Sequence, residues 1–402
     1  MRQLVAFPVV VLTFLLSQPS AAFSQETRTV RADNPAVWGS AVALVEEMRI
    51  GVLDGEAEYV FGWIVDMAMG PDGSVFIVEG QGTVVRKYSH DGQYLHDIGR
   101  EGEGPGEYRG YPEIAITPDG QLVMLDSSNR RVTYFDLDGN HLLDWPIPAD
   151  LLTTSELTVD TAGNLWLKTM TMDRDRPEWD WPRSMVKLSP TGEVLTTLSV
   201  PSEGRGGGSW VLASPEGYMW PFIEKVSSDL SPEGYLVTGS NQDYSFDVLH
   251  VDGTVLRVER DWEPVPLNKE ERSEWEQWAH FFADQRRPGA PEVDTNIPKV
   301  KPAYRQLEVD EDGRVWVDRY VEAVHRDRPP REAGDERPLL TWFEPRTFDV
   351  FDPTGEFLGT VALPPKTYIQ SRRGMYLLGE QVGELDETYV VLFRLNPSQS
   401  ST

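Results

Sequence analysis

Short runs that alternate apolar and polar residues fill most of the chain, and turn residues separate them at regular intervals. Residues 113–117, 122–125 and 131–135 form one such group, and the dipeptides Asp119-Gly120 and Asp138-Gly139 follow its first and third runs. Asp-Gly permits the positive φ that tight hairpin turns need. Each group therefore predicts short antiparallel strands rather than helices.

Glycines in these turns recur at a fixed spacing. An interval of 19 residues separates Gly73 from Gly92, Gly120 from Gly139, and Gly234 from Gly253. Equivalent turns lie 47 residues apart from Gly73 to Gly120 and 43 residues apart from Gly120 to Gly163. Steps of this length are typical of propeller blades that contain four strands each. We predict an all-β fold, a six-bladed β-propeller of four-stranded antiparallel blades.

The last repeat has only three predicted strands, at 368–371, 375–379 and 389–395, and the run 42–50 can supply the fourth. Closing the ring with this N-terminal strand leaves no open sheet edge at the joint. We predict one domain, 42–397, with blades at about 61–99, 109–148, 154–200, 221–262, 302–364, and 366–397 plus 42–50.

Residues 268–285 interrupt the strand pattern and predict one helix, within an insertion at about 265–298. Asn268 can cap the helix with Glu271 three residues later, and Trp275 and Trp278 share one face. We expect the helix to cover part of the propeller. Exposed tryptophans would instead indicate a surface used in a larger envelope assembly.

The N-terminus has a basic start, an apolar run from Leu4 to Leu16 and small residues up to Ser24. This order is typical of a secretory signal peptide, predicted here at 1–24, with cleavage after Ala22 or Ser24. An uncleaved membrane anchor is the alternative. Residues 25–41 are polar and predict a loose leader. We expect an exported protein, periplasmic or extracellular, with no membrane span in the mature chain.

Composition narrows the choice of partners. The chain has a net charge of −28 and no cysteine, so neither disulfides nor a lipidated cysteine can stabilise or anchor it. An acidic surface repels phosphate backbones, so we do not expect nucleic acid as a partner. A small polar ligand or another protein remains, and we expect a monomer.

Three stretches carry a resemblance to a known group: IGREGEGPGEY at 98–108, GQLVMLDSSNRRVTYFDLDG at 120–139, and RTFDVFDPTGEFLGTVALPP at 346–365. They resemble the secreted bacterial six-bladed β-propellers related to NHL-repeat and TolB-type propellers. The resemblance covers nearly the whole mature chain and implies the fold. The wider superfamily includes lactonases, an amidating lyase and pure binding propellers, so it does not choose a function.

Propeller geometry predicts where a site would lie. The Asp-Gly turns share one face, here called the turn face, whereas blade-to-blade connections and loops between second and third strands share the other, the long-loop face. Long loops often carry function, so we predict ligand binding on the long-loop face over the central channel. The predicted residues at the channel mouth are Asp66, Glu113, Glu156, Lys225, Tyr304, Arg305 and Tyr368. Those in a long loop are Asp173, Asp175, Trp179 and Trp181.

The residue types favour binding over catalysis, and we assign no catalytic residue. Channel carboxylates such as Glu113 and Glu156 could hold calcium, which prefers oxygen ligands. We predict no resident cofactor, with calcium in the channel as the ion to consider. The alternative function is a calcium-dependent hydrolase or lyase of the lactonase-like propeller type. Most of the six histidines lie beside outer strands, so we do not expect a three-histidine zinc site.

Overall fold

The computed structural model describes residues 27–39, 42–81, 84–175, 181–201, 222, 224–284, 296–327 and 336–398. Across these residues the fold is the predicted six-bladed β-propeller, built from six mainly antiparallel sheets, one for each blade, with one α-helix. The predicted signal peptide, 1–24, lies outside the described residues. Within them, no helix is both long enough and apolar enough to cross a membrane.

Two strands precede the first blade: β1 (Thr27–Arg31) and β2 (Val42–Ile50). Blade 1 contains β3 (Ile64–Met69), β4 (Val75–Glu79), β5 (Val84–Tyr88) and β6 (Tyr94–Ile98). A short parallel pair follows, β7 (Arg100–Glu101) and β8 (Glu107–Tyr108). Blade 2 contains β9 (Glu113–Ile116), β10 (Gln121–Asp126), β11 (Arg131–Asp136) and β12 (His141–Pro146). The first strand of each blade is the innermost one.

Blade 3 contains β13 (Leu152–Val159), β14 (Leu165–Met170), β15 (Arg183–Leu188) and β16 (Val194–Ser199). Blade 4 contains β17 (Val226–Leu230), β18 (Leu236–Ser240), β19 (Ser245–Leu249) and β20 (Val255–Glu259), and the helix α1 (Lys269–Asp284) follows it. Blade 5 begins with β21 (Tyr304–Val309) and β22 (Val315–Arg319), followed by the short pair β23 (Val324–His325) and β24 (Trp342–Phe343). It ends with β25 (Thr347–Phe351) and β26 (Phe357–Ala362). Blade 6 contains β27 (Thr367–Arg373), β28 (Tyr376–Val382) and β29 (Thr388–Pro397).

The turn glycines adopt the backbone that the Asp-Gly pattern predicts. Gly73, Gly120 and Gly163 have φ of 81°, 79° and 81°, in the left-handed region that side chains other than glycine rarely occupy. In each turn the glycine N–H donates to the backbone carbonyl three residues earlier, as Gly73 N does to Gly70 O at 3.1 Å. The repeat in the sequence is therefore a repeat of hairpins.

The ring closes as predicted, through an antiparallel ladder between β2 and β29. Because β2 comes from the N-terminal side and β29 from the C-terminal end, blade 6 is built from both ends of the propeller. Val42, Met48 and Ile50 of β2 are buried in the cores on either side of blade 6. Closure thus combines backbone pairing with the packing of three apolar side chains.

The prediction of a loose leader at 25–41 was wrong for part of that segment. Residues Thr27–Arg31 form β1, which pairs in parallel with β20 and makes blade 4 a five-stranded sheet. The strand forms because threonine and valine favour extended backbone and because β20 otherwise presents open hydrogen-bonding groups. Further along, Trp38 N donates to Leu358 O at 2.7 Å, so the same segment also covers the edge of β26.

The helix α1 packs down on the propeller, as expected for a cover. Trp278 and Ala279 are buried beside Phe222, and the Trp275 ring meets the Trp278 ring edge to face. Asn268 Oδ1 accepts from Glu271 N at 2.8 Å, which is the predicted cap. These contacts argue against an exposed aromatic face on α1.

Removing β2 should abolish folding, whereas removing β1 alone should not. Burying Val42, Met48 and Ile50 contributes roughly 5 to 9 kcal/mol, comparable to a whole domain's net stability of about 5 to 15 kcal/mol. Thermal unfolding followed by circular dichroism would compare chains that begin at residues 25, 33 and 51. We expect a cooperative melt from the first two and none from the third. Equal melting temperatures for all three would contradict the role assigned to β2.

Candidate functional site

The predicted channel carboxylates occupy equivalent places in three blades. Asp66, Glu113 and Glu156 each stand seven residues before the turn glycine of their hairpin. All three lie on inner strands, toward the end that starts at the long-loop face. The structure brings these strands side by side, since β9 neighbours both β3 and β13. The repeat thus places acidic groups around one part of the channel.

Asp66 links blade 1 to blade 2. Its carboxylate accepts from Met67 N on its own strand and from Ile114 N on β9, both at 2.8 Å. Burial raises the pKa of Asp66 to about 6, although these two hydrogen bonds act in the opposite direction. The side chain is therefore both a structural link and a group that titrates near neutral pH.

Glu156 lies close to another acidic residue, Asp229 on β17. Asp229 accepts from Leu230 N at 2.8 Å and from Val309 N of the next blade at 2.6 Å. Burial, with the charge of Glu156 as the next cause, raises the pKa of Asp229 to about 7. Lys168 Nζ lies 2.8 Å from Glu156 Oε2, so a cation compensates Glu156. Asp229 was not among the predicted residues.

The other residues predicted at the channel mouth have different surroundings. Lys225 N donates to Asn241 Oδ1 at 2.8 Å just before β17, and Tyr368 is 49% exposed on β27. The structure corrects the placement of Tyr304 at the channel mouth. Tyr304 is fully buried in the core between blades 4 and 5, where its hydroxyl donates to Ser245 O at 3.1 Å. Its aromatic ring fills the interface between blades instead of facing the channel.

The predicted loop residues are only partly described. Trp181 Nε1 donates to Asp173 O at 2.8 Å, and Asp175 N donates to Asp173 Oδ1 at 3.0 Å. The first bond joins Trp181 to Asp173, and Asp175 is exposed. Trp179 lies outside the described residues. The loop remains a predicted ligand contact without further support.

Arg305 leads to the densest cluster of charge, which we call the blade-5 network: Lys301, Arg305, Glu308, Asp318, Glu344 and Arg346. Arg305 lies at a bulge in β21, where the register shifts between Tyr304 and Gln306. Bulges re-aim side chains and often occur beside functional sites. The guanidinium of Arg305 donates to Asp318 Oδ1 at 3.1 Å and to Arg319 O at 3.1 Å.

The network reaches from the cover helix to the channel. Lys301, whose side chain is fully buried, pairs with Glu271 of α1 at 2.8 Å and with Glu344, and Glu344 also pairs with Arg305. Arg346 Nη2 lies 3.0 Å from Asp318 Oδ2 and 3.7 Å from Glu308 Oε1. One chain of ion pairs thus connects the cover to an inner strand.

Several polar atoms at this place lack a partner within the chain. Arg346 Nε, Gln370 Oε1 and Arg372 Nε are buried and accept or donate no hydrogen bond among the described residues. Gln370 and Arg372 lie on β27, and the Arg372 guanidinium pairs with Glu308 and stacks 5.2 Å from the Trp316 ring. Buried polar atoms normally find a partner, either in the protein or in a water or ligand. The described residues leave three such atoms close together at this place.

Burial shifts the pKa values of two groups in the blade-5 network. It raises the pKa of Asp318, against the charges of Arg305 and Arg346, and lowers the pKa of Lys301, against its hydrogen bond to Glu271. Each ionised group therefore depends on its oppositely charged neighbours.

The channel carboxylates are the predicted ligands for calcium. Across the part of the chain that the structure describes, no group of three or more His, Asp or Glu side chains is placed to hold a metal ion. Asp66 and Asp229 already use both carboxylate oxygens on backbone N–H groups. The predicted channel calcium therefore stays a prediction without an identified ligand set.

Sequence reasoning missed two acidic residues near the C-terminal ends of inner strands, Asp229 on β17 and Glu308 on β21. Asp229 and Glu308 each stand five residues before their turn glycines, Gly234 and Gly313. Comparing the blades at this register would have found both. Arg346 gave no such signal, because it follows a long insertion and reaches the network only through the fold.

Comparison with known proteins supports the architecture. The DUF5128 family model, described as a 6-bladed beta-propeller, matches residues 71–176, which run from blade 1 into blade 3. The chain matches none of the curated proteins with which it was compared. The predicted resemblance to six-bladed propellers is confirmed by the fold itself.

Solved structures give the same result at low identity. A Bacteroides fragilis protein described as a candidate exported protein is 10% identical, with a TM-score of 0.50, and the match covers 92% of this chain and 99% of that one. A DUF4221 family member from Bacteroides vulgatus has 12% identity, a TM-score of 0.49 and coverage of 89% and 99%. A gluconolactonase from Xanthomonas campestris has 14% identity, a TM-score of 0.40 and coverage of 84% and 87%. The first likeness shows the fold alone, and the other two support no inference.

The Asp229–Glu156 pair should make stability fall as pH rises. An unfolded Asp titrates near pH 3.9, whereas folded Asp229 titrates at about 7. The folded chain therefore holds an extra proton between these values. Its stabilising effect is complete below about pH 4 and is lost as pH rises through 7. One such proton changes the free energy of unfolding by at most about 1.4 kcal/mol per pH unit.

Glu156→Gln should lower the pKa of Asp229 and make this pH dependence shallower, because the neighbouring negative charge is gone. Urea unfolding between pH 5 and pH 8 measures the slope. Glu193→Gln, at an exposed turn of the same blade, is the matched control and should leave the slope unchanged. A Glu156→Gln slope identical to that of the unsubstituted protein would refute the coupling.

Proposed function

We propose that this propeller is an exported binding protein that takes a small polar ligand on the long-loop face, beside blades 5 and 6. The proposal rests on the blade-5 network and the unpartnered buried atoms beside it. Leaving a buried donor without a partner costs about 1 to 3 kcal/mol. A bound ligand that supplies the partner recovers this cost, which favours binding at this place over other parts of the channel mouth.

The network also indicates which groups the ligand presents. The unpartnered atoms include two guanidinium donors, Arg346 Nε and Arg372 Nε. The Arg346 side chain is 33% exposed, whereas that of Arg372 is only 7% exposed. The Arg346 side chain is therefore the one of the two within reach of a ligand. Guanidinium groups bind carboxylates in a fixed two-point geometry, so a small carboxylate is the ligand class we propose.

Export is supported by the N-terminal pattern of a basic start, an apolar run and small residues, which is typical of a signal peptide. The net charge of −28 suits a protein that stays dissolved and does not bind nucleic acid. A rigid ring with long loops on one face is a common way to present a binding surface.

Arg346→Gln should weaken carboxylate binding without unfolding the protein. Asp318 keeps Arg305 and Glu308 keeps Arg372 as partners in this variant. A panel of succinate, malate, citrate, glucose and lysine would be screened by the shift in melting temperature, and binding ligands measured by titration calorimetry. We expect a carboxylate to bind and Arg346→Gln to raise its dissociation constant about tenfold or more.

The matched control is Arg257→Gln, which removes an exposed guanidinium that pairs with Asp247 in blade 4. It should leave carboxylate binding unchanged. Failure of every carboxylate to bind, or equal weakening by both substitutions, would rule out the site proposed here.

The alternative function is a calcium-dependent hydrolase or lyase, and the Asp229–Glu156 pair is the observation in its favour. Burial and the charge of Glu156 raise the pKa of Asp229 to about 7, which suits this carboxyl group to proton transfer near neutral pH. No ligand set for calcium accompanies the pair among the described residues. Binding is therefore the better supported function.

Metal analysis separates the two functions. For a binding protein we expect less than one calcium per chain after purification and the same melting temperature with and without the chelator EGTA. Stoichiometric calcium whose removal lowers the melting temperature would favour the enzyme. Magnesium chloride, added in place of calcium after chelation, tests whether any effect is specific.

A further inference from the structure

A cleft opens on the opposite side of the propeller from the blade-5 network, between blades 2 and 3 on the turn face. Its volume is about 280 Å³, near the lower end of the range of small-molecule sites. The lining comes from three hairpin turns, β10 and β11, and consists of Thr117, Pro118, Asp119, Gln121, Tyr134, Thr161, Ala162, Gly163 and Pro190. None of the residues predicted from the sequence lies there.

The cleft has a buried polar group that the chain does not satisfy. Tyr134 is 2% exposed, and its hydroxyl makes no hydrogen bond among the described residues. The equivalent hydroxyls of other buried tyrosines do find partners: that of Tyr108 accepts from Val85 N at 2.9 Å, and that of Tyr235 donates to Gly313 O at 2.5 Å. An unpaired buried hydroxyl at a cleft indicates a partner from outside the chain.

The lining selects the charge of that partner. Asp119 is the only charged side chain among the lining residues, and no lysine or arginine joins it. Burial, followed by the charge of Asp119, raises the pKa of Tyr134, so the hydroxyl keeps its proton and can both donate and accept. A carboxylate or phosphate would meet repulsion from Asp119 and no cation. An anionic ligand is therefore disfavoured.

The remaining lining residues indicate its shape. Pro118, Ala162 and Pro190 provide an apolar surface, whereas Asp119, Gln121 and Thr161 provide acceptors and donors at the rim. Sugars combine an apolar ring face with hydroxyl groups at the ring edge, and each hydroxyl can both donate and accept. From these features we infer that the cleft between blades 2 and 3 is a binding site for a neutral hydroxyl-rich molecule of monosaccharide size. This site is separate from the carboxylate site proposed above.

The role of Tyr134 is tested by removing only its hydroxyl. Glucose, galactose and xylose serve as probes, and their binding is measured by saturation-transfer NMR and titration calorimetry on the mature chain. We expect one of them to bind saturably, and Tyr134→Phe to weaken that binding about 3- to 10-fold, as for the loss of one hydrogen bond. Phenylalanine preserves the ring that packs in the core between blades 2 and 3.

Tyr94→Phe is the matched control, because it removes a tyrosine hydroxyl that bonds to Asp97 at 3.1 Å on blade 1. It should leave sugar binding unchanged. Charge selection is tested with glucuronate, which should bind more weakly than glucose and should gain affinity in Asp119→Asn.

Three results would overturn the inference. They are the absence of saturable binding by any of the three sugars, equal binding by Tyr134→Phe and the unsubstituted protein, and a preference for glucuronate over glucose in the part of the binding that Tyr134→Phe weakens. Because Tyr134→Phe and Asp119→Asn test the cleft whereas Arg346→Gln tests the carboxylate site, failure at one site leaves the result at the other intact.

Discussion

The antiparallel pairing of β2 with β29 joins the two ends of the propeller, and the position of every inner strand depends on it. No blade has a core of its own, since the apolar side chains of each sheet pack against the sheets on either side. A ring of this kind is complete only when its last blade contacts its first. Met48 and Ile50 of β2 make that contact, because they pack with the core of blade 1.

Closure also explains why charged groups can lie so close to the channel. Asp66 and Asp229 accept backbone hydrogen bonds from the inner strand of the following blade, so each needs its neighbour held at a fixed distance. Their carboxyl groups titrate near neutral pH because the ring limits their contact with water. Structural and chemical roles are thus combined in the same side chains.

The blade-5 network extends this principle to the cover. Glu344 pairs with both Lys301, which holds α1 through Glu271, and Arg305 on the bulge of β21. Breaking such a buried pair leaves an uncompensated charge and is strongly destabilising. The cover helix is therefore coupled to the channel by charge, and a ligand at Arg346 would contact that coupled system. The cleft beside Tyr134 lies apart from it, on a face made of short rigid turns.

The spacing of the turn glycines determined most of the architecture. Positive φ at glycine, the alternation of apolar residues and the missing fourth strand of the last blade can all be read from the order of residues, and they predicted six blades and closure by residues 42–50. Helical spacing of apolar residues and the Asn268 cap predicted the helix at 268–285. Local pattern also showed Asp66, Glu113 and Glu156 at one register.

Tertiary structure alone decided that residues 27–31 form a strand, because that depends on the open edge of β20. It placed Tyr304 in a core and joined Arg346 to Asp318, since such contacts cross between blades or long insertions. It left the Tyr134 hydroxyl unpaired at a cleft, because hydrogen-bond satisfaction is a property of three-dimensional neighbours and not of sequence order.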